Sequence, residues 1–171
     1  MKTKLFLLLV VMTVFSATAF AKIGVLDFQK VLKESAGGKD VYSKLQSKAD
    51  EYDKKLTGMG ETIKKMQQEY AAKESVYDDA AKDKKRSDIQ KQIRDFNQSK
   101  EDYGKELKRL EMRYLKGIQD DVLKICESMG KELDLEVILE VNNSGVLYMS
   151  PKIDITDNVI QRYNNVFKQK K

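Results

Sequence analysis

Histidine is absent from this 171-residue chain, and cysteine and proline occur once each. Without histidine the chain lacks the commonest general base, the commonest zinc ligand and any Ser-His or Cys-His nucleophile pair. The sequence also contains no Walker loop, no dinucleotide-binding fingerprint and no EF-hand loop. We therefore predict a protein that is not an enzyme and that uses no cofactor or metal.

The single cysteine, Cys126, excludes a disulfide within one chain. An unpaired cysteine either joins two chains or is buried as a thiol. Cys126 lies among Val122, Ile125 and Met129 at helical spacing, which favours a buried structural thiol.

Long apolar runs are scarce, and the clearest one spans residues 5–15. It follows Lys2 and Lys4 and precedes the small-x-small pattern of Ala19 and Ala21, as in a secretory signal peptide. The run is shorter than the roughly 20 residues that a spanning helix needs, so an uncleaved anchor is the weaker alternative. We predict a signal peptide over residues 1–21, cleaved after Ala21, and hence an exported protein.

Charged residues make up 35% of the chain, and its mean hydropathy is −0.57. Such a composition does not favour a large globular core and is typical of an elongated helical protein with a small compact part. The formal net charge is +5, but acids and bases are interleaved, which indicates a solvated helix surface. No basic face interleaved with aromatic residues indicates a nucleic-acid binder, so we predict no nucleic-acid partner.

Two series of apolar residues at steps of three and four predict an antiparallel coiled-coil hairpin. The first series is Tyr42, Leu45, Ala49, Tyr52, Leu56, Met59, Ile63, Met66 and Tyr70, and the second is Ile89, Ile93, Phe96, Tyr103, Leu107, Leu110 and Tyr114. We predict an arm over residues 39–132 with its tip near residues 75–79. Asp78 or Asp79 can cap the returning helix, and Ser87 with Gln90 offers a rival capping box.

Beyond the second series, the apolar stripe continues from Ile118 to Leu133 with wider steps. This part of the helix is predicted to pack on a compact body. That body is formed by both ends of the mature chain, residues 22–38 and 133–171.

The first segment of the body, residues 22–28, predicts a short strand. Asp27 is positioned to cap a short helix that Gly37 and Gly38 then end. The alternation at residues 135–141 predicts a second strand, with Leu135 and Val141 on its buried face. Asn142 to Gly145 suits a hairpin turn into a third strand, residues 146–149, which the only proline stops.

A final helix is predicted to start at Thr156 as its cap, with Ile155 and Ile160 forming a hydrophobic staple. The predicted fold class is α+β, predominantly helical, with a small β-rich body and a long arm. Because the body has only a few short strands and helices, it cannot cover all of its own apolar surface. Oligomerisation through the body is therefore expected. The body residues assigned to that contact are Ile23, Val25, Leu135, Val137, Leu139, Val141, Val146 and Tyr148.

Both ends of the mature chain resemble the Skp/OmpH family of periplasmic chaperones. The resemblance rests on residues 22–32 (KIGVLDFQKVL), on residues 134–141 (DLEVILEV), and on Tyr148 followed by residues 153–157 (IDITD). Between them lie two long charged helices of the length that the family has.

This resemblance implies a periplasmic homotrimer whose arms surround a cavity. Unfolded outer-membrane proteins would be held there without ATP, and their aggregation prevented. The chain is less basic than strongly basic relatives, so a lipopolysaccharide-binding patch is not assigned, and a weak contact with membrane or lipopolysaccharide is left open.

Candidate client-binding residues are apolar side chains that leave the seam or lie where it frays. They are Val76, Tyr77, Met112 and Leu115, together with Met59 and Met66, for which ordinary seam packing is the alternative interpretation. A periplasmic coiled-coil adaptor that bridges envelope components is the alternative function, since export and a coiled coil fit it equally well.

Overall fold

The structure is a computed structural model that describes residues 21–170. The predicted signal peptide lies outside the described residues except for Ala21, and its cleavage stays a prediction. The described residues form a two-stranded parallel sheet, four α-helices and two short 3-10 turns. The predominantly helical α+β class is thereby confirmed.

The chain enters through strand β1 (Ile23–Leu26) and continues into helix α1 (Phe28–Glu34). Asp27 is the predicted N-cap between them, and its side chain accepts a hydrogen bond from the Lys30 N–H at 2.9 Å. Because an Asp oxygen satisfies an otherwise unpaired helix-start donor, the helix begins here.

Helix α2 (Ala36–Lys73) follows after a single residue, Ser35, whose hydroxyl accepts the Gly38 N–H at 3.0 Å. The prediction that Gly37 and Gly38 end α1 is wrong, because both lie in the first turn of α2. Their role is steric. A Cβ on Gly38 would overlap the Leu32 carbonyl, and one on Gly37 would overlap the Tyr163 ring.

The chain reverses through a 3-10 turn (Glu74–Val76) and returns as helix α3 (Asp79–Leu133). Asp78 caps α3 by accepting the Ala81 N–H at 2.7 Å. The rival capping box at Ser87 is wrong, since α3 passes through that position without interruption.

The core lies where the last part of α3 meets α1, the sheet and the final helix α4 (Thr156–Gln169). This confirms that the far end of the returning helix packs on the body. The buried cluster consists of Leu26, Val31, Ile118, Val122, Ile125, Cys126, Met129, Ile155, Val159, Ile160 and Tyr163.

Strand β2 (Val137–Glu140) pairs with β1 in parallel, with Ile23 opposite Val137. The other edge of β1 carries an isolated bridge from Val25 to Asp154, where the Ile155 N–H donates to the Val25 carbonyl at 2.9 Å. Both edges of β1 are therefore occupied.

The predicted antiparallel strand at residues 146–149 is wrong, because this segment has no regular secondary structure. The turn before it is present, with Gly145 at φ +65°. The Glu140 carboxylate accepts the Asn143 N–H at 2.8 Å and the Asn142 side-chain amide at 3.2 Å. These bonds turn the chain away from β2, while β1 has no free edge for it.

The face of the second strand that was predicted to be buried is only partly covered, since Leu135, Leu139 and Val141 are half-buried and Val137 is not. Ile138 packs against the core, whereas Val137 is 41% exposed. Successive side chains of a strand point to opposite faces. The face beside α3 is the one that carries Leu26 and Ile138, which line a small cavity with Cys126.

The predicted cap of α4 is wrong as well. Thr156 makes no capping bond; its hydroxyl accepts the Asp27 N–H at 3.0 Å and so joins the two ends of the chain. Asp154 accepts the Thr156 N–H at 2.9 Å instead. Ile155 and Ile160 are both buried, as the predicted hydrophobic staple requires.

Candidate functional site

The two arm helices, α2 and α3, meet along a narrow seam. The Tyr52 and Tyr103 rings stack in it with centroids 4.1 Å apart and planes only 2° from parallel. These residues are equidistant from a point between Tyr77 and Asp78, so the helices run antiparallel within one chain. Tyr52 is buried, whereas most other seam residues are only half-buried.

Charged side chains cover the seam at this level. The ammonium groups of Lys48 and Lys55 lie 4.8 and 5.7 Å from the Tyr52 ring centroid. Both lysines also pair with Glu51, and hydrogen bonds from Lys55 and then Lys48 lower the pKa of its carboxyl to about 2. The arm therefore has a hydrated surface and a thin apolar interior.

The arm tip is held by one cation. Arg86 donates from Nε to the Tyr70 hydroxyl at 2.8 Å and from its terminal nitrogen to Glu74 at 3.3 Å. The Tyr70 ring also stacks on Tyr77, with centroids 6.4 Å apart. Val76, between these contacts, is 77% exposed. The tip is thus a fixed turn that presents one apolar side chain to solvent.

The predicted client-binding residues are not brought together in one place. Val76 and Met112 are largely exposed, whereas the other four, Met59, Met66, Tyr77 and Leu115, are half-buried. At 1.5 Å per residue, Met112 lies about 50 Å along α3 from the tip. Any binding through these residues is therefore spread along the arm.

One predicted seam residue leaves the seam altogether. Tyr42 is 72% exposed and lies on the rim of a cleft at the base of the arm. The cleft has a volume of about 510 Å³ and is lined by Gln29, Leu32, Lys33, Gly38, Lys39, Val41, Tyr42, Leu45, Glu111, Leu115 and Ile118.

A second cavity of about 530 Å³ continues this cleft along the arm. It shares Tyr42, Leu45 and Glu111 with the first and extends between the helices to Gly104. We call the two cavities together the basal groove. Sequence reasoning missed it, because Tyr42 and Leu45 fit the heptad.

The basal groove opens because the start of α2 packs on α4. Gly37 lies against the Tyr163 ring, which draws the first turn of α2 towards the body. Val41 then packs against the edge of the core, and Tyr42 faces outwards. The adjacent Gly37 and Gly38 are the sequence signal for this close approach, which interrupts the seam.

The residues predicted for chain association lie on and beside the sheet. Val25 is already buried within the single chain, whereas Tyr148 is 85% exposed. Of the others, Val137 is exposed, and Ile23, Leu135, Leu139, Val141 and Val146 are half-buried. Leu147 is fully exposed and was not predicted. Among residues 21–170, no strand pairs with the outer edge of β2.

Cys126 is buried, as predicted, and burial raises the pKa of its thiol. Within residues 21–170, His, Cys, Asp and Glu side chains form no group of three or more that could hold a metal ion. No helix in the same range is long and apolar enough to cross a membrane.

Comparison with known families matches residues 22–163 to the OmpH-like outer membrane proteins. The chain belongs to this family. The match covers both strands, the whole arm and most of α4, so it includes every surface described above. Comparison with curated proteins found no match.

A solved OmpH-like structure has the same fold. It is the crystal structure of a protein from Caulobacter crescentus CB15 described as a candidate outer membrane chaperone. It matches with a TM-score of 0.80 over 86% of each chain, at 18% sequence identity. At this identity the likeness concerns the arrangement of the helices and strands.

Proposed function

We propose that this OmpH-like protein is an ATP-independent holdase chaperone of the periplasm. It binds unfolded outer-membrane proteins in a cavity between the arms of a homotrimer and prevents their aggregation. It catalyses no reaction. Family membership and the resemblance to periplasmic chaperones support this proposal, and the predicted signal peptide supports the compartment.

The observation that carries the proposal is the uneven distribution of apolar side chains on the arm. The seam is thin, and yet Val76 and Met112 are exposed at positions where neither contributes to folding of the arm. Met59 and Met66, on α2, are only half-buried. Dispersed apolar side chains on a hydrated surface suit contacts with many different unfolded chains.

Weak contacts of this kind are sufficient to hold a client, because their contributions to its affinity combine. Linked binding sites gain affinity through their effective concentration, without any tight single contact. Methionine side chains are flexible and polarizable, so they adapt to varied partners. Since each contact is individually weak, the client leaves stepwise when it finds its folding site, and no ATP is required.

The body, residues 22–38 and 133–171, would hold three chains together, and residues 39–132 would form the arm of each. Val137, Leu147 and Tyr148 are exposed apolar side chains of the body, and no strand among residues 21–170 pairs with the outer edge of β2. Burying one large apolar side chain contributes about 1.5–3 kcal/mol. A neighbouring chain that covers these residues and pairs with β2 would stabilise both partners.

The first experiment measures both the assembly state of the protein and its ability to keep a client from aggregating. The mature protein, starting at Lys22, is examined by light scattering. It is then mixed without ATP with an outer-membrane protein diluted from denaturant. We expect about three times the chain mass and suppressed aggregation. A monomer at micromolar concentration would contradict the trimer, and unchanged aggregation would contradict the holdase.

The second experiment tests the dispersed contacts. The double variant Val76→Ser and Met112→Ser should weaken holding clearly while leaving the Tm nearly unchanged, because both side chains are exposed. The matched control is Ala72→Ser with Ala80→Ser, which adds hydroxyls at exposed positions near the tip without removing large apolar groups. Equal holding by both double variants would exclude these side chains as contacts.

The adaptor alternative predicts a different result. An adaptor binds one folded partner through specific polar contacts, whereas a holdase captures many unfolded proteins. Capture of a single folded envelope protein, with no suppression of aggregation, would replace the holdase by the adaptor.

A further inference from the structure

The basal groove presents apolar surface that the fold itself does not use. Tyr42 is 72% exposed on its rim, and Leu115 is half-buried in its wall. Neither residue belongs to the buried core cluster. An exposed aromatic ring beside a concave apolar wall is the arrangement that binding sites for apolar side chains have.

The body end of the groove favours an anion. Lys33 and Lys39 line it, and within the described residues neither has a carboxylate within ion-pair distance. By contrast, Lys44, one turn further along α2, is paired with Asp40 at 2.7 Å. Gly38 and Lys39, in the first turn of α2, line the same end.

The opposite wall carries one acid, Glu111, which lines both cavities of the groove. Glu111 borders both cavities, whereas Gly38 and Lys39 in the first turn of α2 border only the cleft. The groove therefore has a cationic end at the body and an acidic residue midway.

The length of the groove limits what it can hold. Along α3 it extends from Ile118 to Gly104, which is about 21 Å at the helical rise of 1.5 Å per residue. An extended chain covers that distance with about six residues. Because the second cavity continues the first along the arm, the groove suits the middle of a chain.

We propose that the basal groove binds an internal, extended segment of an unfolded client with apolar side chains at alternate positions. An aromatic side chain of the client rests against Tyr42 and Leu115, and an acidic side chain on the outward face of the segment meets the exposed Lys33 and Lys39. Strands of membrane β-barrels have the required alternation and carry aromatic residues near their ends. The inference rests on the proposed function and adds a defined subsite to the dispersed contacts of the arm.

The test uses the full mature protein and a fluorescent peptide of about eight residues, long enough to span the groove when extended. The peptide alternates aromatic or aliphatic residues with polar ones and contains one Glu, and a second peptide has Gln in that place. Fluorescence polarisation gives the Kd of each. We expect the Glu peptide to bind more tightly and to lose that advantage at high salt, since exposed ion pairs are screened.

Variants locate the binding. Tyr42→Ala should weaken both peptides by about fivefold to tenfold, as loss of an aromatic contact does at binding surfaces. Lys33→Gln with Lys39→Gln should weaken the Glu peptide alone. Glu111→Gln should strengthen the Glu peptide by removing a like charge. The control pair is Lys54→Gln with Lys64→Gln, exposed lysines further along the arm that should change neither Kd.

Equal affinities of wild type and Tyr42→Ala, or equal effects of the two lysine pairs, would overturn the inference. Aggregation of an unfolded outer-membrane protein is measured on the same preparations. Wild type that holds this client but shows no peptide discrimination would refute the subsite and leave the proposed function standing. Wild type that binds peptides as expected but holds no client would refute the proposed function and leave the subsite.

Discussion

The arm and the body bury apolar surface over very different distances along the chain. In the arm, contacts join two adjacent helices through a thin seam, and Tyr52 is the only buried side chain between residues 39 and 117. In the body, the sheet, α1, α4 and the end of α3 share one cluster. Thr156 there joins the Asp27 N–H across 129 positions.

This difference separates stability from function. The arm is held by heptad packing, caps and intrahelical ion pairs, and these leave most of its surface exposed. The body depends on close packing between distant segments, and a lost contact there affects several elements at once. Variants of the arm and of the body test that division, beginning with the largest expected effect.

Removing the distal arm should weaken holding strongly without unfolding the body. The pairing of Tyr52 with Tyr103 places residue 58 opposite residue 97, so deleting residues 58–97 and inserting a short turn keeps the helices in register. We expect a folded trimer, measured by light scattering, that prevents aggregation much less well than wild type, measured by turbidity, because only the contacts at the base of the arm remain. If the shortened protein held clients fully, the binding surface would have to lie in the body or the stump.

Two methionines of the same helix should respond very differently to truncation. Met129 is 1% exposed in the core, whereas Met112 is 57% exposed on the arm. Met129→Ala should lower the free energy of unfolding by about 2–5 kcal/mol, because it removes buried contacts and leaves a cavity. Met112→Ala should leave it nearly unchanged. Urea unfolding followed by circular dichroism compares them, and similar losses would mean that arm and body are equally packed.

Two glycines of α2 should respond with opposite signs. A Cβ on Gly38 would overlap the Leu32 carbonyl, so Gly38→Ala should cost about 2 kcal/mol or more, as backbone clashes do. Gly58 has nothing within 4 Å of that position, and Gly58→Ala should stabilise the helix by up to about 1 kcal/mol. Thermal unfolding distinguishes them. A stabilised Gly38→Ala variant would disprove the close packing of α1 on α2.

The smallest effect concerns pH. Hydrogen bonds from Arg162 and then Ser128 lower the pKa of Glu132 from 4.5 to about 2. A lowered carboxyl pKa stabilises the folded state above the unfolded pKa, and this contribution is lost as pH falls through the folded value. The Tm of Glu132→Gln should therefore lie slightly below that of wild type above about pH 4.5, and the two should converge near pH 2.

The matching control is a Glu51→Gln variant, because Glu51 is a carboxylate of the arm. Its pKa is also lowered to about 2, but its partners Lys55 and Lys48 lie on the same helix. Glu51→Gln should leave the main unfolding transition in place, because no contact between separate elements is lost. A larger shift for Glu51→Gln than for Glu132→Gln would reverse the assignment of stability to the body.

Much of the arm could be predicted because its determinants are close together in sequence. Heptad spacing gives the seam through Tyr52 and Tyr103, and Asp27 and Asp78 cap helices by bonding N–H groups only three residues away. Helical periodicity also placed Cys126 in the core. Such signals act within one or two helical turns, so the sequence by itself determines them.

The basal groove and the strand pairing were decided by tertiary structure. Tyr42 fits the heptad, but contact of Gly37 with Tyr163 moves the start of α2 out of the seam. Residues 146–149 have strand character, but Asp154 occupies the edge of β1 and Glu140 turns the chain away from β2. In each case distant segments compete for the same surface, and the segment that gives the lowest free energy occupies it. The spacing of residues along one segment carries no information about that competition.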